Sequence, residues 1–137
     1  MTEKHHLLTD DEFEEKFTNC NLPAVHFTHE AHLRISYIYI KKYGIKKAIA
    51  TLCKQLANFD KKNGDGTKFN TRITIASAKV LQQFMEKTKA PNFLGMLNEF
   101  PLLRSNFCDL LKAHYKLDFF KKEKEEDYIE QNVLAFT

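Results

Sequence analysis

The sequence contains no tryptophan, no long apolar run and no large excess of one charge. Its 137 residues carry a formal net charge of +3, and basic and acidic residues are interspersed, so we expect no nucleic-acid partner. No apolar segment approaches the roughly 18 residues that a membrane-spanning helix needs. The polar stretch from Met1 to His6 lacks the apolar core of a signal peptide. We therefore expect a cytoplasmic protein without a membrane partner.

The sequence also lacks the short motifs that identify common metal, nucleotide and redox sites. Cys20, Cys53 and Cys108 lie far apart and form no CxxC pair, which is typical of free thiols in a reducing compartment. The loop 63–67 does not contain the GxxxxGK[ST] pattern of a phosphate-binding loop, and residues 60–67 lack the ligand pattern of a calcium loop. No single motif therefore names a reaction.

Apolar residues make up 43% of the chain and charged residues 28%, the balance of an ordinary globular protein that buries a core. Apolar side chains recur three or four residues apart along most of the chain, which indicates amphipathic helices. We therefore predict an all-α fold, a single-domain bundle of about five or six helices over 1–137. Residues 1–8 are expected to be a mobile terminus, and residues 117–137 are expected to pack on the body.

Capping residues locate the predicted helices. Thr9 and Thr28 are the expected N-caps of the first and second helices, and Gly44 is the expected stop of the second. The later segments are predicted to be His29 to Tyr43, Ile45 to about Lys61, Phe69 to about Thr88, Phe93 to Phe100 and Leu102 to Tyr115. Residues 35–40 also alternate as a strand would, but the cap and the length of their segment favour a helix.

Polar groups interrupt the apolar faces of the second and fourth predicted helices. At about 100° per residue, they share an arc with apolar side chains that we expect to be buried. These groups are His29, His32, Ser36, Asn70, Thr74 and Ser77. Because a buried polar group without a partner costs on the order of 1–3 kcal/mol, we expect them to satisfy each other, water or a ligand.

Our first hypothesis is a small-molecule-binding protein or enzyme with a pocket between these two helices. Histidines three residues apart project to neighbouring positions and can share one target. His29 and His32 would act as general acid and base, or as anchors for the ligand. The residues expected to contact the ligand are Asn70, Thr74, Arg34 and Ser36.

Three other interpretations stay open. Two core histidines hydrogen-bonded to Ser, Thr or Asn would need no function at all. A mononuclear divalent-metal site would need three or four protein ligands for zinc, and no third ligand stands at a diagnostic spacing. The third-ligand candidates are His26, Glu30, Asn70 and His114; His5 and His6 are assigned to the mobile terminus instead. A non-catalytic interaction module or homodimer would use Tyr and Phe residues on a helix face. Ile35 and Ile38 lie outside the main apolar arc of their helix, so they would suit a partner helix or form a second side of the core.

Two segments resemble signatures of a known family. Residues Phe27 to Arg34 resemble the F-x-H-x-x-H-[LIV]-R signature of an uncharacterised family of small bacterial all-helical proteins. Residues Phe69 to Thr74 are similar to the second signature of that family, aromatic-[HN]-x-x-[IL]-T, and Tyr128 to Asn132 resemble its closing motif.

The resemblance implies which positions matter, but it implies no reaction and no ligand. The signature positions are His29, His32, Asn70 and Thr74. Gln131 stands where the family usually has Pro, and Asn70 stands where many members have His. The second departure disfavours a site built from three imidazoles and favours a hydrogen-bonding pocket. No cofactor is predicted, and a divalent metal stays the alternative.

Overall fold

The computed structural model describes residues 3–64 and 69–115, and over these residues the all-α prediction is confirmed. Seven α-helices and two short 3₁₀ helices occur in this part of the chain, and it contains no strand. The α-helices are α1 (Asp10–Thr18), α2 (His29–Tyr43), α3 (Ile45–Asn63), α4 (Thr71–Lys87), α5 (Phe93–Glu99), α6 (Leu102–Ser105) and α7 (Phe107–Tyr115). The 3₁₀ helices are Lys4–Leu7 and Ala24–His26. The predicted C-terminal segment 117–137 lies outside the described residues.

The predicted caps of α1 and α2 are confirmed. Thr9 forms a capping box with Glu12, in which each side chain bonds the other residue's backbone N–H. Thr28 Oγ1 accepts a hydrogen bond from Ala31 N at 3.2 Å. Gly44 ends α2 and precedes α3 with a backbone φ of +81° and ψ of 163°, a conformation open essentially to glycine alone.

Two helix boundaries differ from the prediction. The predicted sixth helix is divided into α6 and α7 at Asn106, whose φ of −136° and ψ of 37° are not helical. The fourth helix begins at Thr71, so Asn70 precedes α4 instead of lying on it. The Asp60 side chain accepts a hydrogen bond from the backbone N–H of Phe69 at 2.8 Å. Phe69 and Asn70 are not helical.

The Cα positions divide the chain into two compact units, Met1–Asn70 and Thr71–Thr137. In the first unit, α1, α2 and α3 pack on one another. A cluster of three phenylalanines joins α1, α3 and the corner before α2: the rings of Phe17, Phe27 and Phe59 have centroids 4.9–5.4 Å apart. The prediction that the chain is a single domain stays a prediction.

In the second unit, α4 and α6 pack on α7, and α5 packs on α6. Phe84 of α4 meets Phe100, which follows α5, edge to face at 5.1 Å between ring centroids. The Glu99 carboxylate accepts hydrogen bonds from the Thr88 hydroxyl and the Lys89 backbone, which fixes the turn after α4. Among all the described helices, none has the length and apolar character to cross a membrane.

Helix α2 is buried on more sides than its amphipathic pattern predicts. Ile35 and Ile38 are 0% and 7% exposed, so this pair forms a second side of the core and is not exposed for a partner helix. Arg34 is buried as well, at 7% exposed. The reason is that α2 packs against both α1 and α3, so that more than one face of this helix is covered.

Replacing Gly44 with alanine should lower the free energy of unfolding by about 1–3 kcal/mol. A Cβ added at this position would have no neighbouring atom within 4 Å, so the whole cost comes from the positive φ. Chemical denaturation measures the change, and Lys46→Ala, an exposed substitution on α3, should stay within about 0.5 kcal/mol of wild type. Equal stability of all three proteins would contradict this account of the α2–α3 corner.

Candidate functional site

The start of α2 separates the two histidines that the sequence analysis placed on one buried face. His29, the first residue of the helix, is exposed. His32 retains some exposed surface, but its Nε2 atom is inaccessible to solvent and has no hydrogen-bond partner among the described residues. The expectation of two inward-facing imidazoles is therefore wrong for His29. Positions three apart on a helix differ by about 60°, enough at a helix end for one to face solvent.

An aromatic cluster surrounds the buried side of His32. Its ring stacks on that of Phe27, with centroids 5.7 Å apart and an interplanar angle of 26°. Phe27 in turn contacts Phe17 and Phe59. Burial, together with the smaller effect of nearby His29, lowers the pKa of His32 from 6.5 to about 4. The ring is therefore neutral at physiological pH and can donate or accept one hydrogen bond at Nε2.

Ser36 and Arg34, two residues expected to contact a ligand, have their polar groups bonded within the protein. The Ser36 hydroxyl donates to the carbonyl oxygen of His32, one turn earlier, at 3.0 Å. Such a back-bond within a helix satisfies the hydroxyl locally. Ser36 therefore serves its own helix in this structure.

Arg34 anchors the segment that precedes α1. Its Nη1 donates to the carbonyl oxygen of His5 at 2.6 Å, and its Nη2 donates to that of Leu8 at 2.8 Å. Nε and Nη2 both reach Asp10 Oδ1, at 3.1 and 2.9 Å. The guanidinium also lies over the ring of Phe13, 4.7 Å from the centroid. Arg34 is therefore an anchor for the N-terminal segment, and its contact with a ligand stays a prediction.

A second group of polar side chains, which we call the His–Glu cluster, consists of His5, His6 and Glu30. The Nε2 atoms of His5 and His6 donate to the same carboxylate oxygen, Glu30 Oε2, at 2.8 and 2.7 Å. His5 is 1% exposed and Glu30 is 4% exposed. Burial lowers the pKa of His5, although its hydrogen bond to Glu30 acts in the opposite direction.

Residues 1–8 are predicted to be a mobile terminus, whereas the described part of this segment makes hydrogen bonds to α2. Lys4–Leu7 form a 3₁₀ helix whose carbonyls and imidazoles bond Arg34 and Glu30 of α2. These contacts join residues 24 to 29 positions apart in the chain, so no local spacing could reveal them. The one available signal was Glu30, a charged residue among predicted buried positions.

Thr74 is buried on α4, and Asn70 is half-buried just before that helix. That these two residues share a site with His29 and His32 stays a prediction. The side chain of His114, another third-ligand candidate, lies outside the described residues. His26 belongs to the second 3₁₀ helix and is half-buried, and it is not a member of the His–Glu cluster.

Comparison of the chain with protein-family models, with curated proteins and with solved structures returned no match.

Replacing Arg34 with lysine should lower the free energy of unfolding by about 2–3 kcal/mol. A single ammonium group cannot bond two carbonyls and a carboxylate in the geometry of the guanidinium fork. Hydrogen exchange at the amides of residues 5–8 should accelerate with the loss of stability. Arg104→Lys, at an exposed arginine of α6, is the control and should change stability by less than about 0.5 kcal/mol. Unchanged exchange in Arg34→Lys would contradict the anchoring role.

The buried imidazole of His32 should make stability depend on pH. Because its pKa is about 4 in the folded protein and 6.5 in the ordinary case, the unfolded chain takes up a proton first as the pH falls. The free energy of unfolding should drop by up to roughly 3 kcal/mol between pH 6.5 and 4.

A His32→Phe variant isolates this contribution, since every other titrating group stays in place. The difference in stability between wild type and variant should grow in favour of the variant as the pH falls from 6.5 to 4. Denaturant titrations at four or five pH values measure it. A difference that stays constant with pH would show that His32 titrates normally in the folded protein.

Proposed function

We propose that this protein binds a small molecule at the start of α2, with His32 Nε2 as the buried polar contact for the ligand. One observation carries the proposal: this nitrogen is inaccessible to solvent and has no partner among the described residues. An unsatisfied buried donor or acceptor costs about 1–3 kcal/mol. Such a cost is typical of groups that are reserved for a ligand or a catalytic step.

The surroundings of His32 support the same proposal. Ligand sites are lined mainly by apolar and aromatic side chains, with a few polar groups that fix orientation. Phe27 lies against one face of the imidazole, and the phenylalanine cluster extends from it. The imidazole would supply the single directional contact in an otherwise aromatic wall. The ligand class that fits is a small, partly aromatic or aliphatic molecule with one hydroxyl, carboxyl or amide group.

His29 is one turn before His32 and exposed, so it would meet the ligand from the solvent side. A role for the pair in acid–base chemistry, and a contact from Asn70, are further parts of the proposal. Both histidines stand at signature positions of the small bacterial family that the sequence resembles, and membership of that family belongs to the proposal as well. A cytoplasmic location is also part of the proposal, and the three free cysteines favour it.

Nuclear magnetic resonance of the histidine rings tests the proposal directly. A library of small alcohols, carboxylic acids and amides, half of them carrying a phenyl group, is added to ¹⁵N-labelled protein. Binders should shift the ring-nitrogen signals of His32 before those of any other histidine, because Nε2 acquires its first hydrogen bond. His32→Phe should abolish this binding while keeping the fold at pH 7, since a planar aromatic ring still stacks on Phe27 and no hydrogen bond of Nε2 is lost.

The matched control is His26→Phe, which makes the same exchange in the 3₁₀ helix before α2 and should bind the fragments as wild type does. Two results would overturn the proposal: fragments that bind His32→Phe and wild type equally, or a library that leaves the His32 signals unmoved. In either case His32 would be a core residue without a ligand.

A further inference from the structure

We propose that His5, His6 and Glu30, the His–Glu cluster, form a binding site for one divalent transition-metal ion of the zinc class. The three residues each offer one ligand atom, and these atoms lie within 4.8 Å of one another. This site is separate from the contact proposed for His32, and neither proposal depends on the other.

The distances within the cluster suit a metal after a small adjustment. The two Nε2 atoms lie 2.8 and 2.7 Å from Glu30 Oε2. Ligand atoms bonded to tetrahedral zinc at 2.0–2.2 Å are roughly 3.3 Å apart. The imidazoles would therefore move away from the carboxylate by about half an ångström each. Two histidines and one glutamate are also a protein ligand set of open zinc sites, in which water fills the remaining position.

The charges around the cluster favour a cation. Glu3 Oε1 lies 3.2 Å from His5 Nε2, and the Thr28 hydroxyl donates to the same Glu3 oxygen. Together with Glu30 and Asp10 this makes three carboxylates beside one guanidinium, that of Arg34. A divalent ion would neutralise a local excess of negative charge. Glu3 is placed to accept a hydrogen bond from a water on the metal.

Arg34 determines how the protons must rearrange when the ion binds. Its Nη1 lies 3.3 Å from His5 Nδ1, and a guanidinium can only donate, so Nδ1 carries the lone pair and Nε2 carries the proton. Coordination through Nε2 requires the other tautomer: the Nε2 proton leaves to water and Nδ1 gains one, with no change in the charge of the ring. The contact between Arg34 Nη1 and Nδ1 is lost in this step, because two donors would then face each other, and Nη1 keeps its shorter bond to the His5 carbonyl, at 2.6 Å.

Metal binding would also link two distant parts of the chain. His5 and His6 belong to the 3₁₀ helix Lys4–Leu7, and Glu30 belongs to the first turn of α2. A ligand that binds only the folded arrangement stabilises it in proportion to its affinity and concentration. The ion should therefore protect the N-terminal segment as well as raise the melting temperature.

The test uses the full chain without an affinity tag, freed of metal with a chelator and titrated with Zn²⁺ in a calorimeter. We expect one equivalent to bind. His6→Gln, which removes the least buried ligand, should weaken zinc binding by about 100-fold or more, beyond the loss that outer-shell mutations cause. His26→Gln makes the same exchange outside the cluster and should bind as wild type does. Co²⁺ should give the visible spectrum of a four- or five-coordinate site in wild type and His26→Gln only.

Glu30→Gln is the second variant, with circular dichroism to establish that it is folded. Hydrogen exchange at residues 4–7 should slow on addition of zinc to wild type and stay unchanged in His6→Gln. Absence of zinc binding in the folded wild-type protein, or equal binding by His6→Gln and His26→Gln, would overturn the proposal and leave the cluster as a hydrogen-bonded network. His32→Phe should retain zinc binding, so that a failure of the small-molecule proposal is distinguishable from a failure of this one.

Discussion

The burial of two charged residues in α2 is the constraint on which the first unit depends. Glu30 and Arg34 are 4% and 7% exposed, and a buried charge is costly unless it is paired and hydrogen-bonded. The partners of both residues come from the segment before α1 and from Asp10, the first residue of α1. Two imidazoles donate to the carboxylate, and two carbonyls and the Asp10 carboxylate accept from the guanidinium. The N-terminal segment is therefore a structural part of this unit, because its removal would take these partners away from both charges.

The same constraint explains why α2 is covered on so many sides. The segment before α1 forms hydrogen bonds with the charged residues in the first turns of α2, and both α1 and α3 pack on α2. The positions between Leu33 and Ile40 are all buried. A polar atom buried in such a helix lowers the stability of the protein unless it forms a hydrogen bond. The Ser36 hydroxyl forms one within its own helix, whereas no described residue bonds His32 Nε2, and the proposed ligand contact rests on this difference.

Local features of the sequence were sufficient to predict much of the fold. The Thr9 and Thr28 caps and the glycine at position 44 located α1 and α2, because capping depends on residues within one helical turn. The break at Asn106 was missed, since apolar spacing continues across it. The full burial of Ile35 could not be predicted either, because a pattern of one apolar face cannot report a helix that packs on several sides.

For the candidate sites too, features within one helix could be predicted from the sequence, whereas contacts between distant segments could not. That an imidazole of the FTHEAHLR segment is buried could be predicted from helical spacing, but which of the two histidines it is could not. The His–Glu cluster was missed because its members come from segments 24 and 25 residues apart. Predicting the cluster would have required knowing that a buried acidic residue lies near the histidine pair. The polar neighbours of His5 and His6 instead favoured a terminus outside the core.

The geometry of α2 also places the residues of the segment that carries the family resemblance in different surroundings. Glu30 and His32 are two positions apart, about 200° around the helix, so one faces the N-terminal segment while the other faces the phenylalanines. Phe27 is accounted for by ring packing and Arg34 by anchoring. Ring packing also accounts for the face of His32 that stacks on Phe27, but it does not account for the buried Nε2 atom, which no described residue bonds. An apolar ring would make the same stacking contact without the cost of an unsatisfied nitrogen, and this is the physical reason to seek a ligand for that atom.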